Sequence, residues 1–135
     1  MKPNDLSGAI VDTLPPVMRV IRNEMRGIAT PELTVAQFRI LARLNHTSHT
    51  NKQLAEWMGI SAATMCRTVD VLAKRKFVAR VTDEKDRREV TLFLTPKGIK
   101  KYESIKQATQ KILRSKLAIL SDSDRDELEK GLMHL

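Results

Sequence analysis

Two histidines and one cysteine have the widest chemistry of the side chains in this sequence. His46 and His49 stand three residues apart, and imidazole nitrogens can bind a metal or act as general bases. Cys66 precedes Arg67, and a thiol beside a guanidinium near a helix start can form a reactive thiolate. However, neither a third metal ligand nor a second cysteine stands near them in the sequence. We therefore interpret the histidines as solvated loop residues and Cys66 as a small helical residue, and a redox role of its thiol stays open.

The motifs that mark most enzymes are missing from the sequence. There is no glycine-rich phosphate loop, no carboxylate pair at a definable site and no Cys/His metal spacing. We therefore predict that the protein is not an enzyme and uses no cofactor or metal. A hydrolase or transferase that uses His46 or Cys66 is the alternative, and it would need a base and an orienting group that the sequence does not identify.

Positive charge is distributed unevenly along the chain. The 135 residues have a net charge of +8, and residues 67–116 contain fifteen bases and six acids, whereas the segment from Ser121 is acidic. A basic surface suits nucleic acid, anionic lipid or an acidic protein. The single cysteine cannot form an internal disulfide, and no apolar run is long enough for a signal sequence or a membrane span. These features predict a cytoplasmic protein of one domain.

The residues from Thr50 to Asp70 predict two short helices joined by a tight turn. Thr50 can cap the first helix with Gln53 as its capping-box partner. Gly59 can end that helix in the left-handed conformation, and Ser61 can cap the second helix. This is the pattern of a helix-turn-helix. In both helices apolar residues recur at helical spacing and predict the buried faces: Leu54, Ala55, Met58, Met65, Val69 and Leu72.

The outer face of the second helix predicts contact with the DNA major groove. Its first turn holds only small or hydroxyl side chains, which permit close approach to bases and phosphates. Arg67, one turn further, can pair with guanine, bind a phosphate or pair with Asp70, and the sequence leaves these alternatives open. The predicted contact residues of the two helices are Thr50, Asn51, Ser61, Ala62, Ala63, Thr64 and Arg67.

Two segments after these helices predict a β-hairpin. Residues 78–82 and 90–95 alternate apolar and polar side chains and are rich in β-branched residues. The charged tip between them would lie beside the outer face of the second helix, where arginine can enter a minor groove. A solvated turn is the alternative. The predicted DNA contacts of this wing are Lys85, Asp86, Arg87 and Arg88.

A long amphipathic helix is predicted near the start of the chain. After frayed residues 1–5, apolar residues recur at helical spacing from Leu6 to Ile28. Pro15 and Pro16 interrupt this series, so they must start a new helix or kink a continuing one. A domain of short helices can cover such an apolar stripe only in part, which indicates a partner subunit. An ordinary core helix is the alternative.

Three further helices have clear starts. Thr34, Thr95 and Ser121 can each cap one of them, and residues 45–49 form a polar loop before the helix-turn-helix. The apolar stripe of the helix that follows Thr95 lasts to Leu120. Because apolar stripes occur on the terminal helices at both ends, we predict an intertwined homodimer.

Three segments together resemble the MarR/SlyA type of winged helix-turn-helix transcriptional regulators. LTVAQFRIL is similar to the family's second helix, NKQLAEWMGISAATMCRTVDVL to its helix-turn-helix and DEKDRREVTLFLTPKG to its wing. The family's wing pattern is Asp, any residue, Arg, and then a Leu-Thr at the end of the strand. Asp86, Arg88, Leu94 and Thr95 match that pattern in type and spacing.

The resemblance implies a mainly α fold with a small β-hairpin wing. It also implies a homodimeric repressor on a pseudo-palindromic operator, with Arg88 in the minor groove and Asp86 as its positioning partner. Release by a small aromatic or phenolic effector is a further implication. A winged-helix module that binds protein without DNA specificity is the alternative. Within the single domain of residues 1–135, the implied parts are dimerisation helices at 5–28 and 96–135 and a DNA-binding part at 34–95.

One position departs from the family's pattern. The family usually has glycine before the aromatic residue that leads into the first wing strand, whereas here Lys76 precedes Phe77. A helix commonly ends on glycine because glycine adopts the left-handed conformation without a steric penalty. The sequence therefore leaves open how the second helix of the helix-turn-helix ends.

Overall fold

A computed structural model describes residues 2–29, 33–86 and 88–134. Within these residues the chain forms a mainly α fold with one small antiparallel sheet, whose strand order is β1-β3-β2. The elements in chain order are α1 (Pro3–Ala29), α2 (Val35–His46), β1 (His49–Thr50), α3 (Asn51–Met58), α4 (Ala62–Lys74), β2 (Val78–Thr82), β3 (Val90–Leu94), α5 (Pro96–Leu117) and α6 (Asp122–Met133). The fold class predicted from the sequence is confirmed.

The helices begin at the caps that the sequence predicts. Thr34 and Gln37 form a capping box at α2, and Thr50 and Gln53 form another at α3. In each box the threonine Oγ1 accepts a hydrogen bond from the glutamine N–H at 3.1 Å. These bonds satisfy backbone N–H groups that have no partner within the helix. The predicted caps of α4, α5 and α6 are also confirmed, at Ser61, Thr95 and Ser121.

The hydrophobic core lies between α2, the helix-turn-helix of α3 and α4, the sheet and the first half of α5. The predicted inner faces of α3 and α4 are confirmed, and only Met58 among them is half-buried. Phe38 of α2 stacks on Tyr102 of α5 with ring centroids 5.5 Å apart. The largest fully buried side chains are Ile40, Leu41, Leu54, Met65, Val69, Leu72, Leu92 and Ile105.

The segment at 45–49 is not the polar loop that the sequence predicts. α2 continues through Asn45 to His46, and His49 and Thr50 form the short strand β1. β1 pairs with β3, so that His49 lies opposite Leu92 and Thr50 opposite Thr91. The prediction failed because this two-residue strand is stabilised by β3, some forty positions away in the chain. The local composition of residues 45–49 does not indicate that pairing.

The start of α1 also differs from the prediction. The sequence predicts frayed residues at 3–5, but the helix begins at Pro3, where proline is tolerated because the first helical N–H needs no partner. One helix runs from Pro3 to Ala29 and contains Pro15 and Pro16. The alternative of two separate helices is therefore wrong. The helix ends at Ala29, and residues 30–32 lie outside the described residues.

Both C-terminal helices leave large apolar side chains exposed. α5 ends at Leu117 rather than Leu120, and its predicted apolar stripe is only partly covered, because Ile99 keeps 44% and Leu117 keeps 41% of its surface exposed. α6 has no buried residue. These helices therefore present apolar side chains that the described residues of one chain do not cover.

The contacts between the end of α4 and the start of α5 show how α4 ends without a glycine at position 76. Lys76 adopts a φ of 64°, so a residue with a Cβ occupies the left-handed position. Its carbonyl accepts a hydrogen bond from Thr95 Oγ1 at 2.6 Å, and the Phe77 carbonyl accepts one from Thr95 N–H at 3.1 Å. A Cβ on Gly98 would stand 2.1 Å from the Phe77 oxygen. We call these four residues, Lys76, Phe77, Thr95 and Gly98, the α4/α5 junction.

Candidate nucleic-acid interface

A tight turn presents the first turn of α4 to solvent. Gly59 has a φ of 69°, which closes α3 in the left-handed conformation, and the Ile60 N–H then donates to the Ala55 carbonyl at 3.1 Å. Ser61 is extended, and its Oγ accepts a hydrogen bond from the Thr64 N–H at 3.1 Å. Consequently the predicted contact residues at the start of α4 lie on the surface: Ser61, Ala62 and Ala63 are exposed and Thr64 is half-buried.

The predicted contact residues at the start of α3 hold the two helices together. Thr50 belongs to β1 and also caps α3, so its backbone is fixed by the sheet and by the helix. Asn51 Nδ2 donates a hydrogen bond to the carbonyl of Ala62 at 3.1 Å. This bond joins the first turn of α3 to the first turn of α4. It therefore helps to set the angle at which α4 leaves the turn.

The hydroxyl groups of α4 orient Arg67. Thr64 Oγ1 lies 2.9 Å from Ser61 Oγ and accepts a hydrogen bond from Arg67 Nη2 at 3.2 Å. The alternative that Arg67 pairs with Asp70 is not what the structure shows, because Asp70 forms an ion pair with Arg80 of β2. The exposed guanidinium of Arg67 therefore lies along the outer face of α4, on the side of its N-terminal turn.

Two aspartates shape the tip of the wing. Asp83 Oδ1 accepts a hydrogen bond from the Lys85 N–H at 2.8 Å, and Asp86 Oδ1 accepts one from the Arg88 N–H at 3.0 Å. Such bonds between a side chain and the backbone two residues on stabilise turns. The bond from Asp86 thus fixes the backbone that carries Arg88. Arg87, which the sequence also predicts as a contact, lies outside the described residues.

An open cleft of about 600 Å³ joins the helix-turn-helix to the wing. It brings together four of the predicted contact residues, two from the start of α3 and two from the wing. The predicted contact residues of α4 and Lys85 do not line it. Lys52 and Arg80 also line the cleft, but the sequence does not predict them as contacts. The available signals are that Lys52 directly follows Asn51 and that Arg80 alternates with the buried Val78. The cleft is lined by Thr50, Asn51, Lys52, Cys66, Arg80, Asp86, Arg88, Glu89, Val90 and Leu92.

The histidines and the cysteine diverge in space. His46 is exposed beside Trp57, whereas His49 lies in β1 and its Nε2 is buried without a hydrogen-bond partner among the described residues. The interpretation of His49 as a solvated loop residue is therefore wrong. Cys66 is exposed and has a free thiol. Within the described residues, His, Cys, Asp and Glu nowhere gather in a group of three or more that could hold a metal ion. None of the helices in these parts of the chain combines the length and apolarity needed to cross a bilayer.

Comparison with known proteins identifies relatives among bacterial regulators. Residues 33–90 match the model of the MarR family. The chain is 29% identical over 102 residues to the uncharacterised HTH-type transcriptional regulator YfiV of Bacillus subtilis, an alignment that covers 75% of this chain and 64% of the relative. It is 30% identical over 93 residues to the HTH-type transcriptional repressor MdtR of the same organism, covering 68% and 60%. The chain therefore spans about three fifths of the length of these relatives.

The whole described fold has counterparts among solved structures. A probable transcriptional regulator from Pseudomonas aeruginosa superposes with a TM-score of 0.70 at 28% identity, covering 96% of this chain and 98% of that one. The likeness extends from α1 to α6. It thus includes the terminal helices, which lie outside the region matched by the family model.

Proposed function

Because this chain belongs to the MarR family, we propose that it is a transcriptional regulator that binds double-stranded DNA with sequence specificity. The observation that carries this proposal is the shared cleft. It brings together the start of α3, the exposed Cys66 of α4 and Arg88 of the wing. A helix and an arginine-bearing hairpin on one surface can read adjacent major and minor grooves.

The proposed roles of the contact residues follow from their chemistry. The first turn of α4, from Ser61 to Thr64, enters the major groove, where small side chains allow close approach and Arg67 can pair with guanine. Arg88 enters the minor groove, and Asp86 acts through the Arg88 backbone. Thr50 and Asn51 lie at the start of α3, where helix N–H groups favour phosphate. Lys85 and Arg87 meet phosphates and contribute affinity rather than specificity.

We also propose that the active form is a homodimer. Large apolar side chains of the terminal helices are partly exposed, and burial of the remaining surface would contribute at most about 1.5–3 kcal/mol for each. A second copy of the chain that packs against residues 5–28 and 96–135 would cover them, leaving 34–95 as the DNA-binding part. Among these exposed side chains are Leu6, Val11, Val17, Met18, Ile119, Leu128, Leu132 and Met133.

We further propose that the protein represses transcription and that a small-molecule effector releases it from DNA. A pseudo-palindromic operator would follow from the two-fold symmetry of a dimer, with recognition helices about 34–36 Å apart. Repression is supported by the similarity to MdtR, which is a transcriptional repressor. A small aromatic or phenolic effector is supported by the family resemblance.

Selection of binding sites from random duplex DNA tests the proposal. The expected result is a palindromic sequence whose binding weakens steeply with salt, because neutralised phosphates release counterions. Sedimentation should give a dimer at micromolar concentration. Recovery of no enriched sequence, or a stable monomer with full DNA affinity, would contradict the proposal and favour the protein-binding alternative. A gel-shift assay of the protein on the selected DNA, with and without phenolic compounds, then tests whether such an effector releases the protein from DNA.

A further inference from the structure

An exposed tryptophan lies between two arginines on the surface beside the helix-turn-helix. Trp57 of α3 keeps 39% of its surface exposed. The guanidinium carbons of Arg39 and Arg43 lie 5.1 Å and 5.2 Å from its ring centroid. Both distances fall within the range of a cation–π interaction. Together with His46 and Ala42, these side chains line an open cleft of about 240 Å³. We call this group the Trp57 cluster.

The charges of the Trp57 cluster are not neutralised by the described part of the chain. Arg80 and Arg125 each pair with an aspartate, but no ion pair joins Arg39 or Arg43 to a described acidic residue. α2 contains no Asp or Glu, and Glu56 is the single acid of α3. Two like charges that share one ring repel each other. An anion beside them would relieve this repulsion.

Stacking prepares the two guanidiniums for such an anion. The planar fork of arginine can donate two parallel hydrogen bonds to a phosphate, and the same side chain can stack on an aromatic ring. Because the indole face already restricts both side chains, less conformational entropy is lost when they bind. The chemistry of the Trp57 cluster therefore fits a phosphate group.

The position of the cluster favours a phosphate of duplex DNA over a free ligand. Trp57 precedes Gly59 by two residues, so the ring lies at the turn that leads into α4. In a helix-turn-helix the first helix crosses the DNA backbone while the second enters the groove. The cleft of about 240 Å³ is also smaller than the roughly 300–1,000 Å³ of typical ligand pockets.

We propose that Arg39 and Arg43, held against Trp57, clamp a backbone phosphate of the DNA that α4 reads. This inference rests on the proposed function and adds a contact outside the cleft between helix-turn-helix and wing. It assigns affinity to the Trp57 cluster but no choice of sequence, because a phosphate is the same at every base pair.

The test compares charge-removing variants of the full chain on the selected operator. Arg39→Gln and Arg43→Gln keep good helix formers on an exposed face. Because both arginines clamp one phosphate, the double variant R39Q/R43Q should lose that contact in full. Its salt slope should fall in magnitude by about 0.9, and its binding at about 0.1 M salt should weaken roughly eightfold, by the same factor on every sequence. Arg43→Lys should keep the slope. The matched control is Lys106→Gln, which removes a cation stacked 5.8 Å from the Tyr102 centroid, away from α3 and α4.

Intrinsic fluorescence reports on the cluster directly because Trp57 is the single tryptophan of the sequence. The operator duplex should change its emission, whereas inorganic pyrophosphate alone should not do so at micromolar concentration. If the double variant R39Q/R43Q binds the operator as the wild type does, with the same salt slope, the inference is overturned while DNA binding stands. A pyrophosphate response at micromolar concentration combined with unchanged DNA affinity would assign the cluster to a free phosphorylated ligand and would also overturn it. If the wild type enriches no duplex at all, the proposed function itself fails.

Discussion

Replacing Lys76 with glycine should stabilise the protein or leave its stability unchanged. Lys76 is exposed and has a φ of 64°, and the left-handed conformation costs a residue with a Cβ about 1–2 kcal/mol. Glycine removes that cost but adds about 0.4–1 kcal/mol of unfolded-state entropy. The bond from Thr95 Oγ1 reaches the Lys76 carbonyl, which glycine retains. The expected gain in the free energy of unfolding therefore lies between about 0 and 1.5 kcal/mol.

Thermal unfolding at a fixed protomer concentration measures this change, because the Tm of a dimer depends on concentration. For a chain of this size the gain corresponds to a rise in Tm of at most about 5 °C. Lys76→Ala keeps the Cβ and should leave Tm nearly unchanged. Lys74→Gly, at the last helical position of α4, should lose up to about 0.5–1 kcal/mol. If Lys76→Gly destabilises the protein as much as Lys74→Gly does, the left-handed strain at Lys76 does not exist.

The remaining predictions concern the DNA contacts and the α4/α5 junction. Arg88→Ala should weaken binding most on operators with a narrow minor groove, whereas Lys85→Ala should weaken it equally on all sequences; an unchanged affinity and salt slope for Arg88→Ala would make the wing a solvated turn. Arg67→Ala should cost about 1–3 kcal/mol on the operator and less on variants that lack its guanine, and equal losses on all of them would make Arg67 a backbone anchor. Gly98→Ala should destabilise the protein by more than about 2 kcal/mol in thermal unfolding, because the added Cβ would stand 2.1 Å from the Phe77 oxygen. A stability equal to wild type would mean that the junction shifts without cost.

Features that depend on neighbours in the chain could be predicted from the sequence. The capping boxes of Thr34 and Thr50 and the left-handed Gly59 each involve residues within one helical turn. Their amino-acid preferences therefore appear in the local pattern. The same holds for the inner faces of α3 and α4, because helical spacing places their apolar residues on one side.

Features that depend on distant residues could not be predicted. β1 forms because Thr50 meets Thr91 across the sheet, and Gly98 is required because α5 packs on the Phe77 carbonyl. In the candidate interface, Asp70 pairs with Arg80 of β2 and not with Arg67, which the sequence offered as one alternative. Each of these results follows from a tertiary contact, and no spacing in the sequence encodes it.

The α4/α5 junction gives the fold a mechanical property. Because Thr95 at the start of α5 bonds to the carbonyls of Lys76 and Phe77 at the end of α4, the two helices share an anchor without a flexible linker. In a dimer held by α5, a rotation of that helix would therefore rotate α4 as well, because the two helices move as one rigid unit. The distance between the two copies of α4 would then change whenever the geometry of the dimer interface changes. Cys66, the single cysteine and exposed on α4, allows that separation to be measured between two spin labels. A distance between labels that stays constant when substitutions at the α5 interface alter the dimer would show that the junction yields instead of transmitting the rotation.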